Sequence, residues 1–195
     1  MSAKNISFAL MIVAIGLILI NGGAVQAEEN SKELWAKLRQ PNHVALLRHA
    51  LAPGTGDPPQ FRLGDCTTQR NLNDRGREQA ARIGARFRDH NLSPARVYSS
   101  QWCRCLETAR LLDLGPVKEL PILNSFFRQY ERRQSQTRDL REWLDKDALD
   151  EPVILVTHQV NITALTGVYP SSGELVIIRV SPGGDVSVIG TIKTD

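Results

Sequence analysis

The sequence predicts an α/β fold: a three-layer sandwich with a mostly parallel central sheet and helices on both faces. The first observation is a pair of short, continuous apolar runs. Val44-Ala45-Leu46-Leu47 and Val153-Ile154-Leu155-Val156 have the character of strands buried on both faces. The second is that segments with helical apolar spacing lie between such runs, so strands alternate with helices. The third is scale. A chain of 195 residues with 42% apolar and 23% charged side chains suits one ordinary domain, and excludes collagen-like and wholly disordered chains. The 24 Lys and Arg against 21 Asp and Glu leave a net charge of +3, with no long block of like charges, so nucleic acid is not an expected partner.

The N-terminus differs from the rest. Lys4 is the only charge before Glu28, Ile6 to Ile20 is apolar, and Val25-Gln26-Ala27 is a small-residue exit. This pattern predicts a secretory signal peptide over residues 1–27, cleaved after Ala27, and a single mature domain over 28–195. The apolar run is shorter than the ~20 residues a spanning helix needs, so no stable membrane insertion is expected after cleavage. The expected location is outside the cytoplasm, periplasmic or secreted. Export meets an oxidising compartment, and three cysteines remain: Cys66, Cys103 and Cys105. A disulfide of Cys66 with Cys103 or Cys105 is expected. The spacing carries no familiar zinc signature, so no metal site is read from it.

The elements follow in order. Ser31 to Gln40 reads as a helix with Leu34, Trp35 and Leu38 on one face, stopped by Pro41. The strand Val44–Leu47 ends in Arg48-His49. Residues 52–71, rich in Pro, Gly, Asp and Thr, read as a long loop. Asn73 or Asp74 caps a helix that runs to about His90, with Ala80, Ile83 and Phe87 as its buried stripe. Val97-Tyr98-Ser99 reads as a strand and Trp102 to Asp113 as a helix. Residues 114–136 read as irregular. Thr137 to Ala148 reads as a helix, Val153–Val156 as a strand ending at Thr157-His158, and 160–166 as a short helix. Leu175–Val180 and Val186–Ile189 flank Pro182-Gly183-Gly184 as a hairpin.

In such sheets ligands bind beyond the carboxyl ends of the strands. Arg48 and His49 follow one apolar strand, His158 another, and Arg104 comes shortly after a third. His43 and His90 read as structural. If the three strand ends converge, two guanidiniums form a multidentate donor site for phosphate oxygens. An imidazole among them can attack phosphorus and carry the phosphoryl group covalently. The arginines supply the positive charge, so no metal or other cofactor is called for.

These segments resemble the histidine phosphatase superfamily. Leu46-Leu47-Arg48-His49-Ala50 looks like its Arg-His-Gly signature, with Ala in the Gly position. Ser99 through Ala109 looks like its S-x-x-x-R-x-x-x-T-A segment, and Val156-Thr157-His158 like its second-histidine strand. Leu72 through Ala80 is similar to its L-t-x-x-G-x-x-Q-A helix start. The resemblance covers roughly residues 42–190. It implies a phosphoglycerate mutase-like fold, with His49 as the nucleophile that forms a phosphohistidine. Arg48, Arg104 and His158 would hold the phosphoryl group, with His49 neutral and His158 the imidazole expected to be protonated.

The chain departs from the family at the leaving-group acid. One branch has an acid directly after the second histidine, where this chain has Gln159. Mutase-like members carry a glutamate where Asn124 stands. Glu131, or Asp57 or Asp65 in the long loop, could substitute, although each reads first as a surface charge. Arg62 and Arg70 are further candidates for substrate contact. The expected activity is a metal-independent phosphatase acting on phosphomonoesters or phosphoramidates. The alternatives are a non-catalytic phospholigand-binding module and a phosphomutase. The expected partner is a small phosphorylated substrate, with a cell-envelope sugar phosphate as one form of it. Oligomeric state is not legible.

Overall fold

A computed structural model describes residues 30–194; the expected signal peptide, residues 1–27, lies outside them. Among the described residues six strands form one sheet: β1 (His43–Arg48), β2 (Arg96–Ser99), β3 (Val117–Glu119), β4 (Val153–Thr157), β5 (Leu175–Ser181) and β6 (Asp185–Ile192). Their order is β3-β2-β4-β1-β5-β6. β1, β2, β3 and β4 run parallel, while β5 pairs antiparallel with both β1 and β6. The helices are α1 (30–37), α2 (Asp74–Asp89), α3 (Cys103–Leu112), α4 (Arg133–Lys146) and α5 (Gln159–Thr166). None of them is long and apolar enough to cross a membrane.

The apolar strands are continuous because both faces of the sheet are covered. Ala45 and Leu47 of β1 join Ile154 and Val156 of β4 on one face, under Trp35 and Leu38 from the α1 segment, Ile83 and Phe87 of α2 and Leu112 of α3. Val44 and Leu46 join Val153 and Leu155 on the other, under Leu140 and Leu144 of α4 and Ile162 and Leu165 of α5. The expected three-layer sandwich is therefore the observed architecture. A fully buried Leu or Ile contributes about 1.5–3 kcal/mol, so these two clusters fix the sheet against its helices.

The region read as irregular is more ordered than its sequence advertises. Val117–Glu119 adds β3 at the sheet edge, parallel to β2, and 3-10 turns occupy Pro121–Leu123 and Tyr130–Arg132. Three residues, two of them charged, are too few to show alternation. α4 begins at Arg133, not Thr137, because its first turn is polar and lacks a side-chain cap. The hairpin turn falls as expected at Gly183 and Gly184, both with positive φ (85° and 75°), which an L side chain resists. β6 runs past Ile189 to Ile192, held by its ladder to β5.

Candidate active site

The carboxyl ends of β1, β2 and β4 open into one cavity of about 450 Å3. Arg48, His49, Arg104 and His158 all line it, together with Asp57, Arg70, Trp102, Asn124, Phe127 and Gln159. Parallel strands put these ends on one side. His49 N–H donates to Thr157 O (3.0 Å), which sets the first histidine beside the strand that carries the second.

Conserving that arrangement falls to residues one step removed. Ala50 N–H donates to Thr108 Oγ1 (3.1 Å), and Thr108 Oγ1–H donates to Arg104 O (2.7 Å), so one hydroxyl ties the His49 segment to α3. Leu51 N–H donates to Gln79 Oε1 (3.0 Å), while Gln79 Nε2 donates to Ser172 O (2.9 Å). Gly76 lets α2 pass this close: a Cβ there would meet Leu51 O at 2.0 Å. Asn73 is the helix cap, its Oδ1 accepting from Gly76 N–H at 2.9 Å. The small, polar pattern from Leu72 to Ala80 thus supports the segment that follows His49.

The tautomers follow from partners that can only donate or only accept. The carbonyl of Ala50 lies 2.8 Å from His49 Nδ1, so Nδ1 carries the proton. Arg104 Nε–H donates to His49 Nε2 at 3.3 Å, so Nε2 presents a lone pair to the cavity. Burial, then the charge of Arg104, holds the His49 pKa well below its usual value, so the imidazole is neutral. Arg104 Nη2 also donates to His158 Nδ1 (3.4 Å), leaving His158 Nε2–H to donate to Ser100 Oγ (2.8 Å). Ser100 in turn donates to Asn124 Oδ1 (3.2 Å). The two rings stand edge to face, 5.6 Å apart. His158, expected to be the charged partner, is instead held neutral in the empty site. Burial leads, and Arg104 and His49 add to it.

Arg48 anchors one terminal nitrogen on Pro170 O (2.8 Å), while its buried Nε–H has no partner among the described residues. An unpaired buried donor is costly, about 1–3 kcal/mol, and this one belongs to a cavity-lining arginine. Arg104 is 3% exposed, with Nη1 2.7 Å from Asp57 Oδ1 and Nη2 3.2 Å from Oδ2. Trp102 Nε1–H (3.0 Å) and Arg70 N–H (3.1 Å) also donate to the Asp57 carboxylate. Burial alone would raise the Asp57 pKa, but these bonds and the Arg104 charge pull it below the ordinary carboxylate value. Asp57 is thus no surface charge, as its sequence setting implied.

The other candidates divide. Arg70 lines the cavity, and its side chain donates to Gly56 O (2.8 Å) and to Ala52 O, folding the loop back on itself. Burial, then Arg104, lowers its pKa to about 10, so it stays charged at neutral pH. Asn124 reaches the cavity, but its amide is spent on Ser100, on Gln101 N–H (2.8 Å) and on Gln101 Oε1 (2.9 Å). It therefore orients the His158 partner and does not offer a free contact. Glu131 is a correction. It is exposed on a separate, shallower depression, because successive residues of a 3-10 turn point a third of a rotation apart and Arg132 takes the cavity side. Arg62, with its side chain 72% exposed, pairs with Asp65 (2.9 Å), and Asp65 caps the turn Cys66–Thr68; neither lines the cavity.

The disulfide joins Cys66 to Cys103. Two residues on a helix lie about 200° apart, so Cys105 faces inward, near Thr157 O and His158. Burial pushes its thiol pKa up to about 12, which keeps it an inert thiol. His43 and His90 are structural, His90 stacked on Trp35 with ring centroids 4.6 Å apart. Sequence reasoning assigned no role to Ser100 or Trp102, which touch His158, and left Asp57 unplaced; Ser100 is the Ser of the S-x-x-x-R segment, a signal that could have found it, whereas no local pattern marks Trp102 or Asp57.

The fold and this pair of histidines between arginines define a histidine phosphatase-type hydrolase. The model of branch 1 of the histidine phosphatase superfamily matches residues 44–126 of the chain. No curated protein sequence matches the chain. Solved structures agree in fold. A protein assigned as the phosphohistidine phosphatase SixA of Agrobacterium tumefaciens is 20% identical with a TM-score of 0.51, the match covering 78% of this chain and 98% of that one. A protein histidine phosphatase SixA complexed with tungstate is 14% identical (TM-score 0.50; 78% and 97% covered). The mycobacterial glucosyl-3-phosphoglycerate phosphatase is 17% identical (TM-score 0.54; 77% and 98% covered).

Proposed function

We propose that this protein is an exported phosphatase that hydrolyses small phosphomonoesters through a phosphohistidine on His49. One observation carries the reading. His49 Nε2 faces the cavity as a lone pair, with its other nitrogen locked on Ala50 O, beside the unpaired Nε–H of Arg48. The substrate phosphoryl group sits between Arg48 and Arg104, whose fork geometry suits its oxygens. His49 Nε2 attacks phosphorus in line with the ester oxygen, the P–O bond breaks, and the phosphoryl group passes to the imidazole. The arginines stabilise the equatorial oxygens as charge spreads over them, so the reaction has no need of a metal. His158 Nδ1, an acceptor from Arg104 while the ring is neutral, donates to the phosphoryl group once the arriving anion draws a proton onto it. Water then cleaves the phosphohistidine.

Export rests on the leader pattern of residues 1–27 and is supported by the Cys66–Cys103 bridge, since disulfides persist in oxidising compartments. Phe61 and Trp102, stacked on each other with centroids 4.9 Å apart, both line the cavity, and an aromatic lining suits a ring such as a sugar. A cell-envelope sugar phosphate fits that lining and that location. Structural neighbours named for phosphohistidine and glucosyl-3-phosphoglycerate phosphatase activities support a small phosphorylated substrate.

The test uses the mature chain, residues 28–195, with EDTA and 4-nitrophenyl phosphate across acid to neutral pH, beside His49→Ala. Turnover lost in the variant, with a phosphohistidine trapped on His49 in the wild type, is the expected result. Phosphate or vanadate binding without turnover would leave a phospholigand-binding module instead. Transfer of the phosphoryl group to an acceptor alcohol faster than to water would make the protein a mutase.

A further inference from the structure

We propose that Asp57 is the proton donor to the leaving group and, in the second step, the acceptor of the proton from water. The proposal rests on the phosphohistidine reading above and fills the role that reading leaves empty.

Among the described residues, Asp57 is the only carboxylate lining the cavity. Gln159 and Asn124 line the cavity but carry no ionisable proton, and Asn124 is fully engaged with Ser100 and Gln101. Glu131 lies outside. One guanidinium links the two groups: Arg104 Nε donates to His49 Nε2 at 3.3 Å, and its terminal nitrogens meet the Asp57 carboxylate at 2.7 and 3.2 Å. In-line attack puts the departing ester oxygen on the side of phosphorus away from His49, and the proposal has the Asp57 carboxyl meet it there.

The ion pair with Arg104 is a resting arrangement that substrate must disturb. A phosphoryl group reaching His49 needs the same terminal N–H groups of Arg104 that Asp57 now holds. Two anions on one guanidinium repel, and protonating the carboxyl relieves the repulsion. Trp102 Nε1–H and Arg70 N–H keep the group in place during the exchange. Gly54 and Gly56, both in the left-handed region (φ 91° and 72°), precede Asp57 in the loop, where L side chains would be strained. Other charged groups facing the carboxyl are cationic: Arg104 and Arg70 here, with Arg48 across the cavity.

The step balances. The Asp57 carboxylate takes up one proton from solvent as the phosphate dianion binds; His49 Nε2 then forms the N–P bond, the P–O bond breaks, and that proton goes to the departing oxygen, which leaves as an alcohol. Water then attacks the phosphohistidine, the N–P bond breaks, its electrons return to His49, and the water proton goes to the Asp57 carboxylate.

The experiment compares wild type with Asp57→Asn and Asp57→Glu on aryl phosphates of similar bulk, from 4-nitrophenyl to 4-methoxyphenyl. Tungstate binding and the thermal midpoint report whether the site and fold survive. The expected result is that Asp57→Asn loses about 100-fold or more in kcat/KM on the poorest leaving group and far less on 4-nitrophenyl phosphate. The dependence of rate on leaving-group basicity steepens, and Asp57→Glu restores part of the lost rate. Equal loss across the series, or no loss, overturns the proposal; in the first case Asp57 only positions Arg104. Full activity in His49→Ala would instead remove the phosphohistidine reading, and with it this role.

Discussion

The chemistry of the cavity turns on hydrogen bonds that leave His49 Nε2 unprotonated, held only by a long bond from Arg104 Nε, and Arg48 Nε unpaired among the described residues. Arg48→Ala should lower kcat/KM on 4-nitrophenyl phosphate by about 100-fold or more, the loss typical of a transition-state donor. Arg48→Lys should recover only part, because an ammonium lacks the planar fork. Parallel kinetics of the two variants checks both statements. The pH profile of the free protein should hold its activity below the ordinary histidine value of about 6.5, because burial and Arg104 depress the His49 and His158 pKa values. Stability should respond with the opposite convenience. As pH falls below about 6.5 the unfolded chain takes up protons that these two buried imidazoles refuse, so the folded state loses ground. Thermal midpoints measured from neutral to acid pH should fall through that range, and less steeply in His158→Gln.

Two links between elements hold the site together. The Cys66–Cys103 bridge closes a span of 37 residues and ties the loop over the cavity to the first turn of α3, next to Arg104. Replacing both cysteines by serine should cost about 2–4 kcal/mol, visible in denaturant unfolding. It should raise KM more than it lowers kcat, since the bridge orders the loop and touches no reacting atom. Gly76→Ala should be worse than its size suggests, because the new methyl meets the Leu51 carbonyl at 2.0 Å and α2 must back away from the His49 segment. Circular dichroism melting and turnover should both fall. Most of the elements that carry these links are legible in the sequence. β1 and β4 are marked by apolar runs buried on both faces, and α2 by the Asn73 cap and its Ala80-Ile83-Phe87 stripe. β3 and the first turn of α4 are not, because Val117–Glu119 becomes a strand only by pairing with β2, and polar residues at 133–136 carry no period.

At the scale of the molecule, mass mapping of protein recovered from outside the cytoplasm should find Glu28 as the first residue and Cys105 as the only free thiol of three. A cytoplasmic, leader-bearing, reduced protein would refute the exported reading. The superfamily resemblance, the sandwich architecture and the grouping of Arg48 and His49 with Arg104 and His158 were all legible in the sequence, because each is written into short contiguous segments: a strand-like run, then a charged or imidazole residue at its end or, for Arg104, five residues beyond it. Tertiary structure alone decided what the irregular segments do. It selected Cys103 over Cys105, sent Glu131 away from the cavity and turned Asn124 inward toward Ser100. It also brought Asp57 across 47 residues of chain to Arg104. The physical reason is common to all of these. A loop has no period, so the direction of its side chains is set by what packs beside it, and the partners of Asp57 come from α3 and from the far end of the same loop.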